Sequence, residues 1–245
     1  MALVDKNISQ PSAAMLVIGD EILSGRTQDL NTQFIATRLT EVGINLSEVR
    51  VVPDSNSAIV SAVNALRVCH KYLFTSGGIG PTHDDITADA IANAFKVDIN
   101  VRDDAKRILS TYYSDGEKSL NEARLRMARI PDGASLIDNP ISKAPGFFLD
   151  NVYVMAGVPS IFRAMVESVI PSLVGGRPLL SVSVRFLRPE SEIAKNLEII
   201  AANFPDGSIG SYPFNRDGVH GTNVVVRHSE KARLKSIEDK IKEIV

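Results

Sequence analysis

Cysteine is nearly absent from this chain of 245 residues: Cys69 stands alone, so no internal disulfide can form. That suits a reducing cytoplasm, which is the expected compartment. Cys69 ends a helical run through Ile59, Val63 and Leu66, and so reads as a small buried hydrophobe rather than a nucleophile. Long apolar runs are missing as well. None approaches the ~18–20 residues of a bilayer span, so no membrane is expected as a partner. The opening, Met1–Pro11, is polar and lacks the basic-then-apolar layout of a signal peptide. An excess of one charge is also lacking: 27 Lys and Arg face 29 Asp and Glu, a formal net charge of −2. Nothing overall draws the chain to nucleic acid, which is not an expected partner. The imbalance is local, with a net −4 over residues 1–176 and a net +2 over residues 177–245, a hint of two units.

What is present reads as alternating strands and helices. Residues 1–12 read as a loose tail. Ala13–Ile18 is a short apolar run stopped by Gly19, a buried strand. Thr32–Val42 spaces Phe34, Ile35, Leu39 and Val42 as one helix face, with Gly43 at the C′ position. A strand over Ile44–Val52 follows, then a helix through Ile59–Cys69 with Asp54 and Ser55 as N-caps. Tyr72–Thr75 is a third strand, and another helix starts near Thr87. Such alternation predicts parallel strands with crossover helices. Ala105–Tyr113 and Leu120–Arg129 read as two polar helices outside the sheet. Phe147–Met155 reads as a hairpin around Asp150-Asn151, and Pro159–Leu173 as a closing helix. Gly175-Gly176 marks a linker. Beyond it the pattern gives strands at Leu180–Phe186, Ser208–Tyr212 and Thr222–Arg227, with helices at Glu190–Asn203 and Lys231–Val245. The expected architecture is a three-layer α/β/α domain with a mostly parallel sheet over residues 13–174. A small α+β domain over residues 177–245 follows.

The densest chemistry lies in Thr75-Ser76-Gly77-Gly78-Ile79-Gly80-Pro81-Thr82-His83-Asp84-Asp85-Ile86-Thr87, between a strand and a helix. Ligands of open α/β sheets bind at that carboxyl end. Gly77, Gly78 and Gly80 allow close backbone approach to an anion, and the following helix dipole favours phosphate. Asp84 and Asp85 beside such a cradle would repel phosphate unless a hard cation lay between, which implies Mg²⁺ or a similar ion. A tight turn with helix-capping aspartates is the plainer reading of the same residues. No Walker lysine follows the last glycine, and no Gly-x-Gly-x-x-Gly occurs, so a P-loop kinase and a standard dinucleotide dehydrogenase are disfavoured.

Two further strand ends carry acids. Gly19-Asp20-Glu21-Ile22-Leu23-Ser24-Gly25 is either a ligand-facing loop or an acidic turn. Asn31 reads as the N-cap of the next helix, with an amide that could also reach a ligand. Asp54, in Val-Pro-Asp, is an N-cap when read alone. Parallel topology, however, brings Asp20, Asp54 and Asp85 to one rim. His83 in the glycine loop and Lys143 have solvated readings beside phosphate-contact ones. His220 and His228 have no acidic or cysteine partner nearby in sequence and receive no role. Gly207-Ser208-Ile209-Gly210 has the form of an RNA-binding loop but leads into a strand, in no basic setting.

These residues resemble a known family. Gly-Asp-Glu-Ile-Leu-Ser-Gly, Asn31, Val-Pro-Asp and Ser-Gly-Gly-Ile-Gly-Pro-Thr-His-Asp-Asp-Ile-Thr are similar to the N-terminal domain of CinA competence/damage-inducible proteins. Related are the molybdopterin-binding domains of MoaB, Mog and MoeA and the front half of eukaryotic FAD synthetase. The resemblance covers roughly residues 14–173, and residues 177–245 resemble the KH-type segment that follows in CinA. It implies that Asp85 and Asp54 are catalytic, and that Gly77, Gly78 and Gly80 bind phosphate with Thr82, Asn31 and Lys143. Asn139-Pro140 and Ala144-Pro145-Gly146 match a later stretch, in which Ser142-Lys143 replaces the usual Gly-Thr. Ala156-Gly157-Val158-Pro159 matches CinA rather than the Pro-Gly-Asn-Pro of molybdopterin adenylyltransferases. The amidohydrolase domain that many CinA proteins carry is expected to be missing. The implied activity is divalent-metal-dependent pyrophosphate cleavage of ADP-ribose or a related dinucleotide. The ion (Mg, Mn, Co or Ni) would be held by Asp85, Asp84, Asp20 and Glu21. The alternatives are a non-catalytic module for molybdopterin or a nucleotide, or adenylyl transfer to molybdopterin. Relatives suggest a homo-oligomer.

Overall fold

β1 (Ser12–Ile18) is buried from Ala13 to Ile18 and turns no side to solvent. Only a strand covered on both faces behaves so, and that requires helices above and below the sheet. The computed structural model describes residues 10–216 and 218–244, and the chain divides into two compact units, residues 1–176 and 177–245.

In the first unit, α1 (Asp20–Leu23), α2 (Asn31–Glu41), β2 (Asn45–Val52), α3 (Asn56–Arg67), β3 (Tyr72–Ser76) and α4 (Thr87–Phe95) follow β1. An excursion comes next: β4 (Ile99–Val101), α5 (Asp103–Ser110), α6 (Glu122–Arg126) and β5 (Arg129–Pro131), with β4 and β5 paired antiparallel. β6 (Ser135–Ile137), β7 (Gly146–Leu149), β8 (Val152–Met155) and α7 (Pro159–Val169) complete the unit. The sheet order is β2-β1-β3-β8-β7-β6. β2, β1, β3 and β8 run parallel, and β7 runs against both of its neighbours.

Strand side chains alternate faces with a period of two, and the two resulting sets feed separate cores. Ala14, Leu16, Ile18, Leu73, Val152 and Val154 pack with α3 and α4. Ala13, Met15, Val17, Tyr72, Phe74 and Met155 pack with α2 and α7. A one-residue slip of β1 would exchange its two sets, so the register is firmly specified. Because β1, β2, β3 and β8 are parallel, the loops after them leave from one rim of the sheet.

The second unit is an antiparallel sheet in the order β10-β11-β9, built from β9 (Leu180–Phe186), β10 (Ser208–Arg216) and β11 (Val219–His228). Val184, Val224 and Val226 pack against Ile193 and Leu197 of α8 (Glu190–Asn203) and Ile237 of α9 (Lys231–Lys242). His228 is buried here. Its Nδ1 accepts from the Glu230 amide at 2.9 Å and its Nε2 lies 3.3 Å from Asp206 Oδ2. Arg233 grips the same carboxylate through two nitrogens, at 2.7 and 3.0 Å. The acidic partner that sequence proximity did not supply comes from 22 residues upstream.

Several expectations are corrected. Cys69 is exposed, because α3 stops at Arg67 and the cysteine lies in the turn beyond its C-cap. Leu120–Arg129 is not one helix: α6 holds only Glu122–Arg126, and Arg129 already belongs to β5. The closing helix tightens into a 3₁₀ turn at Ile170–Ser172, where Pro171 cannot donate to an α-helical ladder. Of the expected tail, residues 1–9 lie outside the described residues. Pro11 accepts from the Asn45 amide at 2.9 Å and Ser12 is already in β1. Among the described residues no helix is long and apolar enough to cross a membrane.

Arg233 holds the Asp206 carboxyl well below its ordinary 3.8, at about 2. A depressed carboxyl stabilises the fold above its unfolded pKa, and that contribution fades as pH falls from 3.8 toward 2. Carboxyl ¹³C NMR of Asp206 is expected to show a midpoint near 2. A midpoint at the ordinary value would mean that the Arg233 pair does not form in solution.

Candidate functional site

The glycine loop begins where β3 ends, and two contacts with its surroundings require residues without a side chain. At Gly77 (φ 108°) a Cβ would lie 2.2 Å from the carbonyl oxygen of Ile18, the last residue of β1. At Gly78 (φ 70°) it would lie 2.1 Å from Thr87 Oγ1. The loop is closed on itself by buried Thr87, which donates through its hydroxyl to the Gly77 carbonyl at 3.0 Å. Its amide donates to the Gly78 carbonyl at 2.9 Å. The Gly77 amide is taken by Met155 O at 3.1 Å, so it is not available to a phosphate. Among the described residues the amides of Gly78, Ile79 and Gly80 donate to no protein acceptor. They are the loop's unpaired backbone donors.

Asp85 caps neither α4 nor any other helix. Its Oδ2 accepts from the Thr82 amide at 2.8 Å and from the Thr82 hydroxyl at 2.5 Å, folding the loop tip back on itself. The packing is close enough that a Cβ on Gly80 would meet Asp85 Oδ2 at 2.7 Å. Asp84 is exposed, and the His83 side chain is 99% exposed, 4.0 Å from Asp84.

Asp54 is not the cap of α3, whose N-cap is Ser55. Its Oδ2 accepts instead from the Asp20 amide at 2.9 Å and so ties the loop after β2 to the loop after β1. Partial burial pushes the Asp54 carboxyl up; the Asp20 amide opposes this, and the negative charges of Glu21, Asp20 and Asp84 add to the rise. The structure thus gathers Asp20, Glu21, Asp54 and Asp84 around one region. Asp85 turns into an adjoining cleft lined by Gly80, Arg126, Arg129 and Pro145. Asp84, Asp85, Asp20 and Glu21 do not form a ready cage. Among the described residues no three His, Cys, Asp or Glu side chains are placed to hold an ion by themselves. Asp85 is engaged by Thr82, which removes it from such a cluster.

Asn31 is not a cap either. It is the first residue of α2, and Asp29 does the capping by accepting from the amides of Asn31 and Thr32 at 2.9 and 3.1 Å. The Asn31 side chain is buried and donates to Ser76 Oγ at 2.7 Å and to Gly157 O at 2.8 Å. It locks the rim loops after β3 and β8 together, while its Oδ1 is buried without a partner. Asn139 is consumed structurally: its Nδ2 donates to Ser142 Oγ and Ala144 O, and its Oδ1 accepts from the amides of Ile141 and Ser142. Lys143, at φ 57° in that turn, does not line the Asp85 cleft.

Sequence reading missed the two arginines of the cleft. Arg129 is paired with both oxygens of Asp89 at 2.8 and 2.6 Å, which fixes the excursion to α4. Arg126 donates through Nη2 to the Asp85 carbonyl at 3.0 Å. Neither has a local signal, because each acts on a residue about forty positions away.

Residues 14–175 match the family described as a probable molybdopterin binding domain, and residues 178–245 match the FAD synthase middle domain. The protein PH0439 of Pyrococcus horikoshii is 33% identical over 76% of this chain and 78% of its own length. A probable FAD synthase of Caenorhabditis elegans is 29% identical over 96% of this chain, which spans 50% of that protein. Among solved structures, the protein CinA from Thermoplasma acidophilum is 31% identical with a TM-score of 0.62, over 66% of this chain and 97% of that one.

Asn31→Ala removes the donors to Ser76 Oγ and Gly157 O and should cost about 1–3 kcal/mol. Calorimetry is expected to show Tm lower by several degrees. An unchanged melt would mean that water replaces the amide and that the rim is not locked by it.

Proposed function

The chain belongs to the molybdopterin-binding domain family, and from that premise we propose that its first unit is a divalent-metal-dependent pyrophosphatase acting on ADP-ribose or a related dinucleotide. One observation carries the reading: the partnerless amides of Gly78, Ile79 and Gly80 share a rim with Asp20, Glu21, Asp54 and Asp84. Donors suited to phosphate and acids that repel it are compatible when a cation stands between them.

The acidic rim offers such an ion carboxylate oxygens but no complete set of ligands. Among the described residues no three His, Cys, Asp or Glu side chains are placed to hold one. That suits a hard cation (Mg²⁺, Mn²⁺, Co²⁺ or Ni²⁺), which keeps several waters and takes phosphate oxygens to complete its shell. When bound, the ion would neutralise charge that develops on the phosphate as water attacks. The chain's own residues bind and orient. The amides of Gly78, Ile79 and Gly80 would hold phosphate oxygens, Thr82 fixes Asp85, and Asp54 and Asp85 are the carboxylates assigned to catalysis. Water bonds to one phosphorus, the bridging P–O bond breaks, and ADP-ribose gives AMP and ribose 5-phosphate. The same loop in a binding module would hold molybdopterin or a nucleotide without turnover.

Incubating the pure chain with each metal and ADP-ribose, FAD, NAD or ATP, with chromatography of the products, tests the proposal. Turnover supports it, and tight binding with no turnover overturns it in favour of the module. Asp85→Asn keeps an oxygen acceptor for the Thr82 amide but loses the charge. It is expected to lower kcat with ADP-ribose on the order of 10²-fold or more, with a melt close to wild type. Wild-type rates in the variant would mean that Asp85 only shapes the loop.

A further inference from the structure

Resting on the diphosphate-binding reading above, we infer that Arg126 is a phosphate-binding residue of this site, supplied by the excursion between α4 and β6. Arg126, Asp85 and Gly80 line one cleft, together with Arg129 and Asp89. Of these charged groups, Arg129 and Asp89 are matched to each other through two hydrogen bonds. The Asp85 carboxylate is turned to Thr82. Among the described residues Arg126 makes no ion pair. Its one hydrogen bond is to the Asp85 carbonyl, and its Nε–H is buried without an acceptor.

A guanidinium offers five donors in a planar fork whose best match is a phosphate or carboxylate. A buried charged donor with no acceptor calls for an explanation, and a ligand oxygen in the cleft provides one. Gly80 lines the same cleft, and among the described residues its amide has no protein acceptor. A phosphate oxygen at the mouth of this cleft would lie near both the Gly80 amide and the fork. Electrostatics point the same way. The rim holds Asp20, Glu21, Asp54 and Asp84, with Asp85 in the adjoining cleft, so an incoming diphosphate meets like charge, and Arg126 is a cation that touches the glycine loop itself. The neighbouring Arg124 differs: its guanidinium lies 4.1 Å from the centre of the Tyr113 ring and donates to Ser119 O, so it is a structural control on the same helix.

The test titrates ADP in Mg²⁺ into the wild-type chain and into Arg126→Gln, Arg126→Lys and Arg124→Gln by calorimetry, with melts alongside. Arg126→Gln is expected to weaken ADP binding about 10- to 100-fold. Arg126→Lys should fall between, because it keeps the charge and loses the fork. Arg124→Gln should bind as wild type does. With ADP-ribose as substrate, Arg126→Gln is expected to raise KM more than it lowers kcat. ADP affinity within twofold of wild type in Arg126→Gln, or no ADP binding by the wild type, overturns the inference. If Arg126→Gln unfolds, Arg126→Lys decides by the same criterion. The two readings fail separately. ADP binding that depends on Arg126 without ADP-ribose turnover retains the subsite and removes the hydrolase. Turnover with Arg126→Gln unchanged does the reverse.

Discussion

The contact between Gly77 and the end of β1 is the constraint on which the site depends. The chain must leave β3, cross the tip of its parallel neighbour and turn back into α4 within a few residues. The crossing is so close that no side chain fits between residue 77 and the Ile18 carbonyl. Thr87 then holds the carbonyls of Gly77 and Gly78 with its hydroxyl and its amide, so those oxygens face α4. The following amides are left without a protein acceptor. Loop geometry, rather than any charged side chain, leaves these donors unpaired.

Around that loop several polar side chains serve as braces, which residue type alone does not suggest. Asn31 and Thr82 are polar residues at a ligand rim, yet each is engaged in holding one loop to another or to itself. Asp54 has both characters. It receives the Asp20 amide and still carries a charge that burial and three neighbouring acids disfavour. Such a carboxylate gains more than an exposed one from a nearby cation, because an opposite charge relieves both penalties.

Much of this was legible in the sequence because two signals are local. Strand runs ending in glycine or Pro-Asp located the rim, and the alternation of strand and helix gave the mostly parallel sheet. Capping was less legible. Asn31 and Asp54 have the right chemistry for N-caps, but tertiary partners in other loops compete for their side chains; Asp29 accepts the first amides of α2, and Ser55 takes the N-cap position of α3 without a side-chain bond. Cys69 failed for a related reason: apolar periodicity does not reveal that a helix has stopped two residues earlier. Arg126 and the Asp206–His228 pair were invisible because their partners are brought close only by the fold.

The order of strands has a consequence for synthesis. β3 is complete by Ser76, but one of its two neighbours, β8, begins only at Val152. The glycine loop is anchored by that late strand, through the Gly77 amide and the Met155 carbonyl. A chain emerging from the ribosome therefore carries an apolar central strand with one bare edge for some 75 residues of elongation. The excursion, α5 and α6 included, is made during that interval. At ~5–20 residues per second this lasts on the order of seconds, and long-range parallel pairing of this kind is slow to form. The glycine loop thus gains its anchor only after β8 has been made, late in the synthesis of the first unit.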